Sequence, residues 1–334
     1  MNQIKVIQVG LGPLGQKIVQ FINQRKGIEI IGAVDVAPHL KGKDVGEHCG
    51  LGEMGIQIQD SVSVCLASLK DQEPDAAILT TVSSMEKITP QIEQIVGCGL
   101  PVVSTCEELL CPWHISKELS ERIDHAAKAN QVAVLGTGVN PGFLMDSLPV
   151  FLTAVCQDVK KITVNRIQDA ACRRVPFQKK IGAGLTLEQF EKKKAQGTLR
   201  HIGLTESLHL IASSVGWQLT QTEDILTPVI AQKKIITEAM QIPVGHAAGV
   251  QQIGNGYMNG DKVVSLIFRA AVGEPDPVDS IEIEGNPSIK SIIGQGVHGD
   301  IATCAITINA IKRIVKAPPG LRTMADIPLV SFFQ

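Results

Sequence analysis

An apolar run near the start of the chain, IKVIQV, leads directly into Gly10, Gly12 and Gly15 and then into a helical pattern. That spacing, G-x-G-x-x-G between a strand and a helix, is the signature of a dinucleotide-binding turn. Gly10 permits the tight turn, Gly12 lets the backbone approach a pyrophosphate, and Gly15 lets helix and sheet pack closely. Pro13 and Leu14 then open a helix whose N-terminus faces the phosphates. A second apolar run, IEIIGAV, ends in Asp35, about 20 residues further on, where an acid holds the adenosine ribose. Asp35 favours NAD, whereas His39, Lys41 and Lys43 in the following loop would suit the 2′-phosphate of NADP, so use of both coenzymes is expected, with a lean towards NAD.

At 334 residues the chain suits two domains of ordinary size. Hydrophobic residues make up 44% and charged residues 19%, the balance of a soluble globular protein. A net charge of −2 gives no electrostatic reason to expect nucleic acid or a membrane surface as partner, and 3% aromatics leave little to stack on bases. The start of the sequence reads as a strand rather than a targeting segment, and no uncharged run approaches the roughly 20 residues that span a bilayer, so a cytoplasmic location is expected. Eight cysteines form no CxxC pair and read as reduced thiols. Cys106, Cys111 and His114 cluster but lack a fourth ligand, and no metal is expected.

Strand-like and helix-like segments alternate through IKVIQV, the helix after Gly15, IEIIGAV, DAAILTT, a helix around Ile88 to Val96, PVVST, a helix around Ile115 to Asn130, and QVAVLG. Such βα alternation predicts a parallel, doubly wound sheet. The turn GTGVNPGFLMD ends the pattern and sets the boundary of a first domain, residues 1–145. Beyond it VKKITVNRIQDA, KKIITEAM, HAAGVQQIGNGYMNGDKVVSLIFRAAV and SIEIEG read as longer strands, with NGD at 259–261 as a hairpin turn. LTLEQFEKKKAQG and ESLHLIASSVGW read as helices. Residues 146–297 are therefore expected to form an α/β domain around a large, mostly antiparallel sheet. Residues 298–334 hold an apolar-faced helix and a tail expected to return to the first domain.

The combination GLGPLG, VVSTCEEL, GTGVNPGF, RRVPFQKKIGAG and HGDIATC resembles the 2,4-diaminopentanoate dehydrogenase family, which includes 3,5-diaminohexanoate dehydrogenases and native NAD(P)-dependent amine dehydrogenases. The likeness runs over essentially the whole chain. The first domain is also similar, more loosely, to those of dihydrodipicolinate reductase and homoserine dehydrogenase. The resemblance implies a Rossmann domain, a substrate domain that dimerises, and reversible oxidative deamination of an amine, with reductive amination of a ketone or aldehyde by ammonia in reverse.

Hydride transfer needs a positioned coenzyme and an acid or base beside the reacting carbon. In an open α/β sheet the ligand lies beyond the carboxyl ends of the strands, where Thr105, the last residue of PVVST, is expected to meet the coenzyme and Glu107 and Glu108 follow. Homoserine dehydrogenases carry a VVTANK-like segment at the matching strand, and aligning it with Val102 to Glu107 places Glu107 at the lysine. A carboxylate suits an amine better, since it holds the ammonium, accepts its proton and stabilises an iminium. Both glutamates also suit the first turn of a helix, and Glu108 stays as the second candidate. Thr80, Thr81, Val82 and Ser83 are expected to line the pyrophosphate and ribose, and the resemblance places Asn140, Pro141 and Gly142 beside the nicotinamide. For the substrate, one of Arg166 and Arg173 is expected to clamp a carboxylate. Phe177 supplies an apolar wall, and His201 and His298 are candidate pocket residues. The rival readings are a dihydrodipicolinate reductase and a non-catalytic regulator sensing NAD(P).

Overall fold

The computed structural model describes residues 3–70, 72–171, 173, 175–199 and 202–334. They fall into two compact units, residues 1–143 with 298–334, and residues 144–297.

The first unit runs β1 (Ile4–Val9), α1 (Pro13–Asn23), β2 (Ile28–Val34), α2 (Val45–His48), β3 (Ile58–Gln59), α3 (Val62–Ser68), β4 (Ala76–Leu79), α4 (Met85–Gly97), β5 (Val102–Ser104), α5 (Pro112–Ile115), α6 (Lys117–Ala129) and β6 (Ala133–Gly136). A C-terminal helix, Gly299–Ile314, and strand, Gly320–Arg322, complete it. The strands form one sheet in the order β3-β2-β1-β4-β5-β6 followed by the C-terminal strand, and every pairing is parallel. Both faces are covered, which is why β4, β5 and β6 are buried throughout rather than alternating. One face packs on α1 and the C-terminal helix through Ile18, Ile22, Ile308 and Ile311, the other on α4 and α6 through Ile88, Ile92 and Ile123. Strand order reverses between β1 and β4, and this switch point opens the crevice in which such sheets bind ligands.

The second unit runs α7 (Ser147–Leu152), β7 (Asp158–Asp169), α8 (Val175–Lys180), α9 (Leu187–Ala195), α10 (Leu204–Ser214), β8 (Gln221–Ile230), β9 (Ile235–Ile236), β10 (Gln241–Ile242), β11 (Ala247–Met258), β12 (Asp261–Ala271), β13 (Val278–Asn286) and β14 (Ile289–Gly294). Six strands build a mixed sheet in the order β14-β13-β7-β12-β11-β8. Its central pair, β7 with β12, is parallel, and the outer pairings are antiparallel. A parallel neighbour needs a long crossover, and α8 to α10 with the β8–β11 strands lie between β7 and β12 in the chain. The hairpin at Asn259 and Gly260 forms as the sequence predicts, both residues having positive φ, +55° and +92°. KKIITEAM yields only the two-residue β9, paired with β10. One sheet face, with Ile162, Val164, Leu266 and Phe268, packs against Phe190 of α9 and Leu208 and Ile211 of α10.

Among the described residues no helix is long and apolar enough to cross a membrane, and no group of three or more His, Cys, Asp or Glu is arranged to hold a metal ion.

Candidate active site

The glycine turn joins β1 to α1 at the switch point. Gly10 has φ +91°, and a Cβ there would lie 2.8 Å from the Thr80 carbonyl oxygen. A Cβ on Gly15 would lie 2.0 Å from the Gly10 carbonyl oxygen, so only glycine lets α1 approach this closely. Gly12 differs, since nothing lies within 4 Å of a Cβ built on it. It is the N-cap of α1, with no side chain capping the helix and Pro13 in its first turn. Open space above uncapped N–H groups is what a pyrophosphate requires. Gly15→Ala is expected to cost about 1–3 kcal/mol of stability and to abolish measurable NADH binding. Thermal unfolding and coenzyme fluorescence titration check both.

The neighbouring side chains hold this turn. Fully buried Gln8 donates through Nε2 to the Gly10 carbonyl at 2.9 Å and to Thr80 Oγ1 at 2.8 Å, and Thr80 Oγ1 donates to the Gly10 carbonyl at 3.0 Å. Asp35, at the end of β2, accepts from the Leu11 N–H at 2.7 Å and the Ala37 N–H at 2.9 Å. In the loop beyond, Lys41 pairs with Asp60, while His39 and Lys43 are exposed.

The parallel sheet brings the carboxyl ends of β4, β5 and β6 to the same edge as the glycine turn. Thr81, exposed, donates to Gln91 at 2.8 Å, while Val82 and Ser83 are half-buried. Thr105 follows β5, with its N–H on the Leu79 carbonyl at 3.2 Å. The two glutamates sit in a 3₁₀ turn, Glu107–Leu109, and are used differently. Glu108 accepts the Met85 N–H at 2.7 Å, capping α4 where its own N-cap residue, Ser84, makes no side-chain bond. Glu107 is half-buried, and its carboxylate has no hydrogen bond or ion pair among the described residues. Burial pushes the adjacent Cys106 thiol up to about 12, which removes it as a nucleophile.

After β6, Asn140 precedes Pro141 and Gly142 in a tight turn. Gly142 has φ +127°, and a Cβ there would lie 2.4 Å from the Gly138 nitrogen. The Val139 N–H bonds Thr303 of the C-terminal helix at 3.3 Å. Both polar atoms of the Asn140 side chain are buried without a hydrogen-bond partner. A buried amide left unsatisfied costs stability unless a ligand completes it.

In the second unit the arginines depart from the expectation of a free carboxylate clamp. Arg166 is 2% exposed and faces Asp279, with Nη1 at 3.2 and 3.1 Å from its carboxylate oxygens. Its Nη2 donates to the Val297 carbonyl at 3.2 Å. The guanidinium is thus committed inside the protein, because β13 places an acid directly opposite it in register. Arg173 lies over the Phe177 ring, 4.2 Å from its centroid, and donates to Gln168 at 3.4 Å. Phe177, half-buried, is therefore the stacking partner of a cation. His298, in the first unit, is the N-cap residue of the C-terminal helix, without a side-chain capping bond. His201 lies outside the described residues, as does Arg174. Sequence reasoning missed Gln8, Asp279 and His48. His48, on α2, places Nε2 3.2 Å from the Leu11 carbonyl. Gln8 precedes the glycine motif without being part of its G-x-G-x-x-G pattern, and it, Asp279 and His48 meet Thr80, Arg166 and Leu11 only in the folded chain, at separations of 72, 113 and 37 residues.

Comparison with known proteins joins both units. Residues 143–333 match the model of the 2,4-diaminopentanoate dehydrogenase C-terminal domain, and residues 4–106 that of the dihydrodipicolinate reductase N-terminus. The chain is 31% identical over 340 residues to the 2,4-diaminopentanoate dehydrogenase of Acetoanaerobium sticklandii, covering 98% of this chain and 94% of that protein. It is 21% identical over 358 residues to the amine dehydrogenase of Streptomyces virginiae, covering 98% and 96%. The solved amine dehydrogenase of Mycobacterium smegmatis shares the fold, with a TM-score of 0.84, 22% identity and coverage of 99% of this chain and 98% of that one. A match that spans nearly the full length of both proteins, with the second domain following its own family model, shows that the chain belongs to the 2,4-diaminopentanoate dehydrogenase family.

Proposed function

We propose that the protein is an NAD(P)-dependent amine dehydrogenase, deaminating a diamino acid or short amine and, in reverse, aminating a ketone or aldehyde with ammonia. The observation that carries this reading is the division of labour at the end of β5, where Glu108 caps a helix and the Glu107 carboxylate beside it is left uncommitted. A lysine or neutral side chain there would repel or ignore an ammonium group. A carboxylate binds it through a charge-assisted hydrogen bond.

In the deaminating direction Glu107 holds the substrate ammonium and takes one of its protons, freeing the nitrogen lone pair. A bound nicotinamide would supply the acceptor for the hydride. As the C–H bond breaks, the lone pair forms the C=N bond, and the Glu107 carboxylate, its proton passed to solvent, stabilises the iminium cation. Glu107 next removes a proton from water as its oxygen attacks the iminium carbon. It returns that proton to nitrogen and then takes the hydroxyl proton, so that the C=O bond forms as the C–N bond breaks and ammonia departs. The Asn140 amide, with both a donor and an acceptor open, suits the nicotinamide carboxamide or a substrate oxygen. Gly12 and the N-terminus of α1 suit the pyrophosphate.

Oxidation of NADH or NADPH by a panel of ketones, aldehydes and keto acids, each with and without excess ammonium, tests the reading. Ammonium-dependent oxidation is expected. Oxidation indifferent to ammonium would return the choice to another reductase, and tight coenzyme binding without turnover would favour a sensor.

We also read the protein as a homodimer through the open face of the mixed sheet. A register row there runs Ile292, Ser280, Asn165, Ile267, Ile253 and Ile225, and its terminal isoleucines on the edge strands are 59% and 45% exposed. Light scattering that returns the monomer mass would exclude this.

A further inference from the structure

The Leu11 peptide lies between the first two glycines of the turn and is held at both ends. Its N–H donates to Asp35 Oδ2 at 2.7 Å, and its carbonyl accepts from Gln16 Nε2 at 3.0 Å. The same carbonyl lies 3.2 Å from His48 Nε2, which must therefore carry the ring hydrogen, since a carbonyl only accepts. The Leu11 side chain is buried in the core, so the peptide has no freedom on that side either. Asp44 fixes the segment that carries His48 by accepting from the N–H groups of Gly46, Glu47, Met54 and Ile56 at 2.8–3.1 Å.

Asp35 is bound on its other oxygen as well, to the Ala37 N–H at 2.9 Å. Its carboxylate cannot swing aside without breaking two charge-assisted bonds, one of which shapes the turn. Where it stands, its remaining lone pairs can accept from ribose hydroxyls, and its charge opposes a 2′-phosphate. Among the loop cations, Lys41 is drawn off by Asp60.

We propose that Asp35 is at once the coenzyme selector and a structural tie of the glycine turn, with His48 and Gln16 as positioning residues that complete the tie. The inference rests on the dinucleotide reading of this site. Preference for NAD over NADP then cannot be separated from the geometry that binds either coenzyme. An acid that served only to select would allow simple inversion on its removal. Here its removal also releases the Leu11 peptide.

Dissociation constants for NADH and NADPH, measured by fluorescence on the wild type and on Asp35→Asn, His48→Ala and His48→Gln, test this, with thermal unfolding of each free protein as a second readout. The wild type is expected to bind NADH at least about tenfold more tightly than NADPH. Asp35→Asn should weaken NADH about tenfold or more and leave NADPH no tighter than in the wild type. His48→Ala, which removes no ribose contact, should weaken both coenzymes by one common factor of about three to ten, and His48→Gln, which restores an N–H donor, should recover most of the loss. An Asp35→Asn protein of unchanged stability that exchanges NADH for NADPH preference would overturn the tie. So would a His48→Ala protein that folds normally and binds both coenzymes as the wild type does. Should the folded wild type bind neither coenzyme, the dinucleotide reading itself fails and the inference with it.

Discussion

Glu107→Gln is expected to lower turnover by about 10²–10⁴, the range lost when a positioned general acid–base is removed. The amide keeps the size of the side chain, so folding and coenzyme affinity should stay near wild type, and the loss should fall on kcat as well as kcat/KM because the missing charge acts where the iminium develops. Glu108→Gln makes the informative contrast. Its carbonyl oxygen still accepts the Met85 N–H and keeps α4 capped, so only the smaller loss of a charge at a helix N-terminus remains, about 0.3–1 kcal/mol of stability. Ammonium-dependent turnover, NADH titration and thermal unfolding on the two variants separate the roles. An inactive Glu108→Gln beside an active Glu107→Gln would move the acid–base role to Glu108.

Much of the first unit was legible because its signals are local. The glycine spacing, the apolar runs of β1, β2, β4 and β5, and Asp35 at the end of β2 each follow from short stretches of chain, and a parallel sheet buried on both faces leaves little alternative for such runs. The segment from residue 41 to residue 72 gave no comparable signal. Its helices α2 and α3 have four and seven residues, too short to show an amphipathic period, yet α2 carries His48 to the Leu11 carbonyl. The edge strand β8 was hidden by Pro228 and by the acids Glu223 and Asp224, which are tolerated there because an edge pairs on one side only. At the candidate site the sequence offered two adjacent glutamates with equal claims. What parts them is the Met85 N–H at the start of α4, brought to Glu108 by the pairing of β4 with β5. The role of Arg166 was illegible for the same reason, since its partner Asp279 is 113 residues away and becomes its neighbour only through the register of β7 with β13.

Arg166→Met is expected to destabilise the second unit by about 3–5 kcal/mol at neutral pH, because it leaves the Asp279 carboxylate buried without its cation. Burial lowers the Arg166 guanidinium to about 10 and raises the Asp279 carboxyl above its ordinary value, so desolvation opposes both charges even while they are paired. The sign of the pH dependence follows from that carboxyl. A group whose folded pKa is raised binds more protons in the folded state, so its contribution is fully present below the ordinary carboxylate pKa and is lost as pH rises through the folded value. Without Arg166 the carboxyl is raised further and that window widens upward, so the variant should recover part of its deficit as pH falls from 7 towards 5, which the wild type should not do to the same extent. The double variant Arg166→Met with Asp279→Leu removes both charges and should be more stable at pH 7 than Arg166→Met alone. It does not return fully to wild type, because the Val297 N–H, now on Asp279 at 2.7 Å, and the Val297 carbonyl, shared by Arg166 and Gln168, each lose a partner. Denaturant unfolding of the three proteins at pH 5 and pH 7 gives the whole comparison. An Arg166→Met protein as stable as wild type would mean that the ion pair does not hold the second unit together, and would return Arg166 to consideration as a group held ready for a substrate carboxylate.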